Sequence, residues 1–297
     1  MWKKILFWTL AVMITLGASV YQRMTGPTHP QYLKTNINGV DYSFKFIRSG
    51  GETDCPILLK GFGGFDKGIA VTDKSTGQSE ATATIYWRKY PSEDAFSKIE
   101  MQPAAEGLSA SLPVQPAAGK LEYYVAIGTK TEGSGGIVTT DHYYFKDEPL
   151  MIRFKGDVPM WVLIPHIICM FVSMLFAAYA FLCALANMPQ YKKNITIAFW
   201  IIMVGGFILG PLVQKYAFDI YWSGFPFGGD LTDNKTLFAA IALLAAVITK
   251  KFQWNRWVAV AAVLVMFAVF SIPHSMRGSE LDHTTGKVGT AQVDVNK

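Results

Sequence analysis

The chain has 297 residues, of which 51% are hydrophobic and only 16% charged, and its formal net charge is +5. A soluble domain of this length carries about 25% charged residues, so the deficit excludes an ordinary soluble protein and points to a membrane. The Lys and Arg residues cluster at the ends of apolar runs and form no basic stripe interleaved with aromatics, which excludes a nucleic-acid-binding surface.

Lys3 and Lys4 precede an apolar run over residues 5–20. A basic start followed by such a run fits a signal peptide or an uncleaved anchor, and Gly17-Ala18-Ser19 offers a cleavage site. The reading adopted is a transmembrane anchor over 1–22. With either reading the segment that follows is exported.

Residues 23–158 have the composition of a soluble domain. Val40, Tyr42, Phe44 and Phe46 alternate with Asp41, Ser43 and Lys45. Leu108, Ala110 and Leu112 alternate with serines, and Leu121, Tyr123, Val125 and Ile127 alternate with Glu122, Tyr124 and Ala126. Further runs lie at 82–90, 142–145 and 151–154. Period-two alternation broken by Gly and Pro predicts half-buried strands in a β-sandwich. Residues 116–125, Pro-Ala-Ala-Gly-Lys-Leu-Glu-Tyr-Tyr-Val, resemble strand entries of fibronectin type III and related immunoglobulin-like domains, which implies that fold and no particular function. Cys55 is the domain's one cysteine, so it has no disulfide partner there.

Residues 159–273 are mostly apolar and divide into four segments, 161–185, 195–214, 237–249 and 257–272. The third is short for a span and should begin earlier, near Thr232 or Asp233, both good helix caps. Together with the anchor this predicts an α-helical membrane bundle of about five transmembrane helices beside an all-β immunoglobulin-like domain. Cys169 and Cys183 read as small packing residues, and Gly206 with Gly210 as a close-packing pair. Lys3 and Lys4, then Lys192 and Lys193, then Lys250, Lys251 and Arg256 lie on alternate connections, which places all three clusters in the cytoplasm. The β domain, the loop 215–235 and a polar tail, 274–297, are then outside. The expected location is the bacterial inner membrane. Lys215, Lys235 and Arg277 run against the charge rule and are candidates for a local role.

Two histidines bracket the apolar region at the same expected face. His166 lies about one turn inside the first segment, and His274 follows the last in Ile272-Pro273-His274. Ionisable residues at membrane depth point to function. Between them runs an aromatic, Gly-rich loop containing Trp222 that enters the next helix through Asp230-Leu231-Thr232-Asp233-Asn234-Lys235. A tryptophan-bearing outer loop flanked by histidines and ending in an acidic turn resembles the haem-handling cytochrome c biogenesis membrane proteins, although this loop holds one tryptophan and a different turn. The resemblance implies haem b with His166 and His274 as axial ligands, Trp222 among the cofactor contacts, and Lys215, Lys235 and Arg277 meeting the propionates, while the loop itself reads either as a lid over a planar ligand or as an interfacial aromatic belt. Met170, Ser173 and Met174 share the His166 face at helical spacing and either line a pocket or pack the core.

Two other readings use the same region. His166, His274, Asp230, Asp233, Glu280 and His283 supply a donor set for zinc or another divalent ion in a membrane hydrolase, though their spacing matches no standard zinc motif. Alternatively, Glu280 and His283 belong to a solvated tail and the chain is a non-catalytic accessory subunit whose β domain meets a protein partner. Nothing marks a stand-alone enzyme: there is no phosphate-binding Gly-Lys loop, no nucleophile elbow and no run of intramembrane acids.

Overall fold

The computed structural model describes residues 1–37, 39–62, 82–133, 136–273, 278–283 and 285–290, with backbone alone over 129–140 and at 290. The chain divides into two compact units, Thr28–Gly156 and Met1–Pro27 together with Asp157–Lys297. The first helix, remote in sequence, therefore belongs to the same unit as the later helices.

The unit Thr28–Gly156 is built of strands. A hairpin joins β1 (Gln31–Ile37) to β2 (Val40–Phe46) antiparallel, with Ile37 opposite Val40. The short β3 (Ser49–Gly50) follows. A three-stranded sheet has β4 (Cys55–Lys60) against β8 (Gly107–Leu112) and β8 against β7 (Gln102–Ala104). A six-stranded sheet contains β3, β5 (Thr82–Tyr90), β6 (Ser97–Glu100), β9 (Lys120–Gly133), β10 (Gly136–Tyr144) and β11 (Leu150–Phe154) in the order β3-β11-β9-β5-β6, with β10 pairing β9. Both sheets and the hairpin feed one core. Tyr42, Phe44 and Phe46 meet Ile57, Leu59 and Leu108 from the smaller sheet and Ile85, Tyr123, Val125 and Ile152 from the larger.

Strand β2 follows the alternating pattern, with Tyr42, Phe44 and Phe46 buried and Asp41, Ser43 and Lys45 exposed. Strand β9 departs from it. Leu121, Tyr123, Val125 and Ile127 are buried as expected, but Glu122, Tyr124 and Ala126 are buried too. Side chains of β5 and of the segment after it cover that second face. Tyr86 stacks on Tyr124 at 4.8 Å, Phe96 meets Tyr124 edge-on at 4.9 Å, and Arg88 pairs with Glu122 while lying over the Phe96 ring. Inside the core, the Tyr123 hydroxyl donates to the Ile47 carbonyl at 2.8 Å, and burial pushes its pKa well above the ordinary tyrosine value.

The second unit is helical. Helix α1 (Trp2–Thr25) buries Ala11 and Thr15 and stacks Trp8 on Tyr179 at 4.1 Å. Its hydroxyl residues fold back on the chain, Thr15 onto the Ala11 carbonyl and Ser19 onto the Thr15 carbonyl, which removes their unsatisfied polarity from an apolar helix. Gln22 donates to the Phe270 carbonyl. Helix α2 (Met160–Leu185) packs on α3 (Tyr191–Val204), and α5 (Leu231–Ile248) on α6 (Asn255–Ser271). The contacts are made largely by alanines, among them Ala177, Ala180, Ala198, Ala239 and Ala262. Small side chains let helix backbones approach closely where no water drives association.

Helix α3 continues through a π turn (Gly205–Leu209) into α4 (Gly210–Phe218). The cause is in the sequence. Pro211 has no N–H to give the Phe207 carbonyl, and its ring would strike that carbonyl in a regular helix. One extra residue in the turn relieves the clash, and Gly210 N–H instead reaches the Gly205 carbonyl five residues back. The π turn also separates the glycines. A methyl on Gly205 would lie 2.7 Å from Cys169 Cβ on α2, and one on Gly206 would lie 2.5 Å from Thr236 Cγ2 on α5, whereas Gly210 faces His166. Gly206 and Gly210 thus do not form the shared close-packing face expected from their spacing.

Four helical stretches are long and apolar enough to cross a membrane: Trp2–Thr25, Met160–Leu185, Tyr191–Phe218 and Leu231–Lys251. Helix α6, at 17 residues, is shorter. Beyond α6 the tail is not a free polar strand. β12 (Ser279–Leu281) pairs with β13 (Val288–Thr290), and Ser279 and Leu281 are buried.

Candidate functional site at the acidic end of the bundle

The start of α5 organises one end of the bundle. Asp230 caps the helix, its Oδ1 accepting from Thr232 N–H at 2.7 Å and Asp233 N–H at 3.4 Å. The helix therefore starts where Asp230 satisfies two of its otherwise unpaired first N–H groups, a few residues before the apolar run begins. Asp233, one turn in, turns its Oδ2 back to the loop and accepts from Ser223 N–H at 2.7 Å and Gly224 N–H at 3.0 Å. Asn234 Oδ1 takes the next amide, Phe225 N–H, at 2.7 Å. Three successive loop amides are therefore held by two successive side chains of α5.

The network extends to two other elements. Ser223 Oγ donates to Asp230 Oδ2 at 3.0 Å and receives from Gln214 Nε2 of α4 at 2.7 Å. Ser279 Oγ of β12 lies 3.2 Å from Ser223 Oγ and donates to Asp230 Oδ2 at 3.5 Å. The tail hairpin, the loop, α4 and α5 thus share one buried polar cluster. Lys235, only 3% exposed, sits within electrostatic reach of Asp230 and donates to the Ile272 carbonyl at 2.9 Å, tying α5 to the end of α6. Buried charges of this kind are tolerated only when paired and hydrogen-bonded.

His166 lies on α2 immediately after Pro165 and is half-buried against the π turn. Its Nδ1 is 2.8 Å from the Gly205 carbonyl oxygen. A carbonyl only accepts, so Nδ1 carries a proton, and in the neutral ring Nε2 then keeps its lone pair. This is the arrangement that orients a metal-binding imidazole, with one ring nitrogen anchored and the other free to coordinate.

Of the residues singled out in the sequence, Asp230, Asp233 and Lys235 come together. Lys215 does not join them: it is half-buried and pairs with the exposed Asp219 at 2.6 Å. Trp222 stacks on Phe207 at 5.6 Å and gives its indole N–H to the Phe225 carbonyl, so it is fastened to its own loop and to the π turn. Ser173 donates to the Ala198 carbonyl and Met174 is buried among core alanines, while Met170 rests against Gly205 and Gly206. Glu280 and His283 are half-buried on the tail hairpin. His274 and Arg277 lie outside the described residues. Among the described residues no three His, Cys, Asp or Glu side chains gather as a metal site.

Gln214, Ser223, Asn234 and Ser279 were not singled out, although they complete the cluster. Asn234 alone had a visible signal, its place in the acidic turn. The others act through contacts between residues far apart in the chain, up to 65 positions for Gln214 and Ser279.

No family model, curated protein or solved structure matches the chain.

Proposed function

We propose that this is an integral membrane haem-binding or redox-associated protein, with His166 and His274 as the iron ligands. One observation carries the reading. Adjacent α5 residues, Lys235 and Thr236, connect the two histidine-bearing parts of the chain. Thr236 packs on Gly206, next to the Gly205 carbonyl that anchors His166, and Lys235 holds the carbonyl of Ile272, two residues before His274. The anchored Nδ1 and open Nε2 of His166 fit an axial ligand. The expected cationic contacts fit less well, since Lys215 is paired with Asp219 and Lys235 is committed to Ile272. Bound haem would supply one-electron chemistry, and the chain's own contribution is to orient the imidazole and fix its tautomer.

The wider reading has five membrane spans, with α6 as the fifth, and an immunoglobulin-like sandwich outside the cytoplasm at the bacterial inner membrane. The two sheets around one core support the sandwich. The alternation of Lys-rich connections supports the orientation. At about 1.5 Å per residue, α6 reaches roughly 26 Å, short of a ~30 Å hydrocarbon core by an amount that local thinning accommodates.

Protein purified from haem-replete cells should show a Soret band that is lost in His166→Ala and in His274→Ala. A colourless preparation that takes up no haem on titration would refute the reading. A second reading, the non-catalytic accessory subunit, is favoured by the internal engagement of Trp222, Lys215 and Lys235. It predicts co-purifying subunits in mild detergent, and a stable lone chain would count against it.

A further inference from the structure

The opposite end of the helical unit is built from different chemistry. Lys3 and Lys4 lie in the first turn of α1, and Lys192 and Lys193 in the first turn of α3. Lys250 and Lys251 follow α5, and Arg256 opens α6. These seven cations have no acid beside them in sequence: neither Asp nor Glu occurs in 1–27, 158–218 or 234–279.

The fold gathers them. Lys192 Nζ donates to the Lys250 carbonyl at 2.8 Å, joining the α2–α3 turn to the α5–α6 turn. Arg256 lies within electrostatic reach of the Tyr191 hydroxyl at the start of α3, and Lys4 within reach of Cys183 at the end of α2. Asn255, fully buried, fixes the α5–α6 turn by donating to the Ala246 carbonyl and to Thr249 Oγ1. Three helices begin here, α1, α3 and α6, and none has a side-chain cap or an acid in its first turn. The C-terminal carbonyls of α2 and α5 lie at the same end and offset part of this charge, as the Lys250 carbonyl does for Lys192, but three uncapped helix starts and seven cations leave an excess of positive potential among the described residues. Trp254 stacks on Phe252 at 5.2 Å and Arg256 lies over the Trp257 ring at 4.6 Å, and all three aromatics are more than half exposed. Aromatic rings beside cations at the end of apolar helices are the composition of a membrane interface.

We infer that this end of the bundle is a binding site for an anionic phospholipid, whose phosphate is met by Lys193, Lys251 and Arg256. The lipid's acyl chains run along the outward apolar surface, where Trp200, Ile248 and Leu264 project. Charge complementarity selects the occupant: an anion is required, and its apolar part matches the surface below the cations. The inference is independent of the haem reading, since none of these residues belongs to the acidic end.

The test uses the full chain in neutral detergent, exchanged against phosphatidylglycerol or phosphatidylcholine and read by native mass spectrometry. Phosphatidylglycerol should be retained roughly tenfold or more over phosphatidylcholine, given about one order of magnitude or less per cation near a phosphate. The triple variant Lys193→Gln, Lys251→Gln, Arg256→Gln should lose that preference, while Lys193→Arg with Lys251→Arg and Arg256→Lys should keep it. Lys192 is left in place because it fastens the two turns. The thermal unfolding temperature of the wild-type chain should also rise with phosphatidylglycerol, a readout that needs no variant. Equal retention of the two lipids, an unchanged preference in the glutamine variant, or displacement of the lipid by inorganic phosphate at equal concentration would overturn the inference. So would a soluble acidic peptide that binds through these residues when the lipid does not.

Discussion

The two ends of the helical unit solve the same electrostatic problem in opposite ways. At one end, α5 begins with Asp230 and Asp233, and each carboxylate is spent on amide, hydroxyl or ammonium partners. At the other, α1, α3 and α6 begin with cations and no cap. The difference teaches that the acidic end is closed by its own residues, whereas the Lys-rich end is completed from outside the chain. It also separates stability from recognition. Substitutions at the acidic end should unfold the protein, and substitutions of the cations at the other end should change what it binds.

Asp233→Ala gives the largest expected effect. It leaves the Ser223 and Gly224 amides buried without an acceptor, and hydrogen bonds to a charged group are worth roughly 1.5–3 kcal/mol each. A loss of about 3 kcal/mol or more should appear in denaturant unfolding in detergent. Lys235→Met is next. It removes the donor to Ile272 and loosens the end of α6, for about 1–3 kcal/mol. Ser279→Ala should cost about 1 kcal/mol and release the tail hairpin, read as faster proteolysis after residue 278. Asn255→Ala tests the contrast from the other side. It is the uncharged anchor of the Lys-rich end and should cost about 1–2 kcal/mol, while Lys251→Gln leaves the unfolding midpoint in neutral detergent unchanged. Lys215→Ala marks the lower limit: its ion pair with Asp219 is exposed, so no measurable change in unfolding is expected. If Lys251→Gln destabilised the protein as much as Asp233→Ala, the contrast would fail.

Much of this was legible in the sequence because it depends on local pattern. An early α5 start was legible in the polar residues ahead of the apolar run, but they point to Thr232 or Asp233, whereas the cap is Asp230, two to three residues earlier. Strand β2 follows from strict alternation at 40–46. The second buried face of β9 was hidden, since alternation reports one face and the covering side chains, Tyr86, Arg88 and Phe96, come from a neighbouring strand and the segment after it. The π turn had its cause in Pro211, but Gly205 and Gly206 spoke more loudly for close packing. His166 was visible as an ionisable residue in an apolar run. Its tautomer was not, because that depends on a carbonyl 39 residues away. The buried cluster was half legible: its acids stand in the sequence turn, whereas Ser279 joins it only because the tail folds back.

The most direct test of the functional reading is a reduced-minus-oxidised difference spectrum of the purified full chain, with haem content determined on the same sample. The account predicts one haem per chain with a low-spin bis-histidine signature, and loss of that signature in His166→Ala while the far-UV helical signal is retained. A wild-type protein without haem, or an unchanged spectrum in His166→Ala, would contradict it.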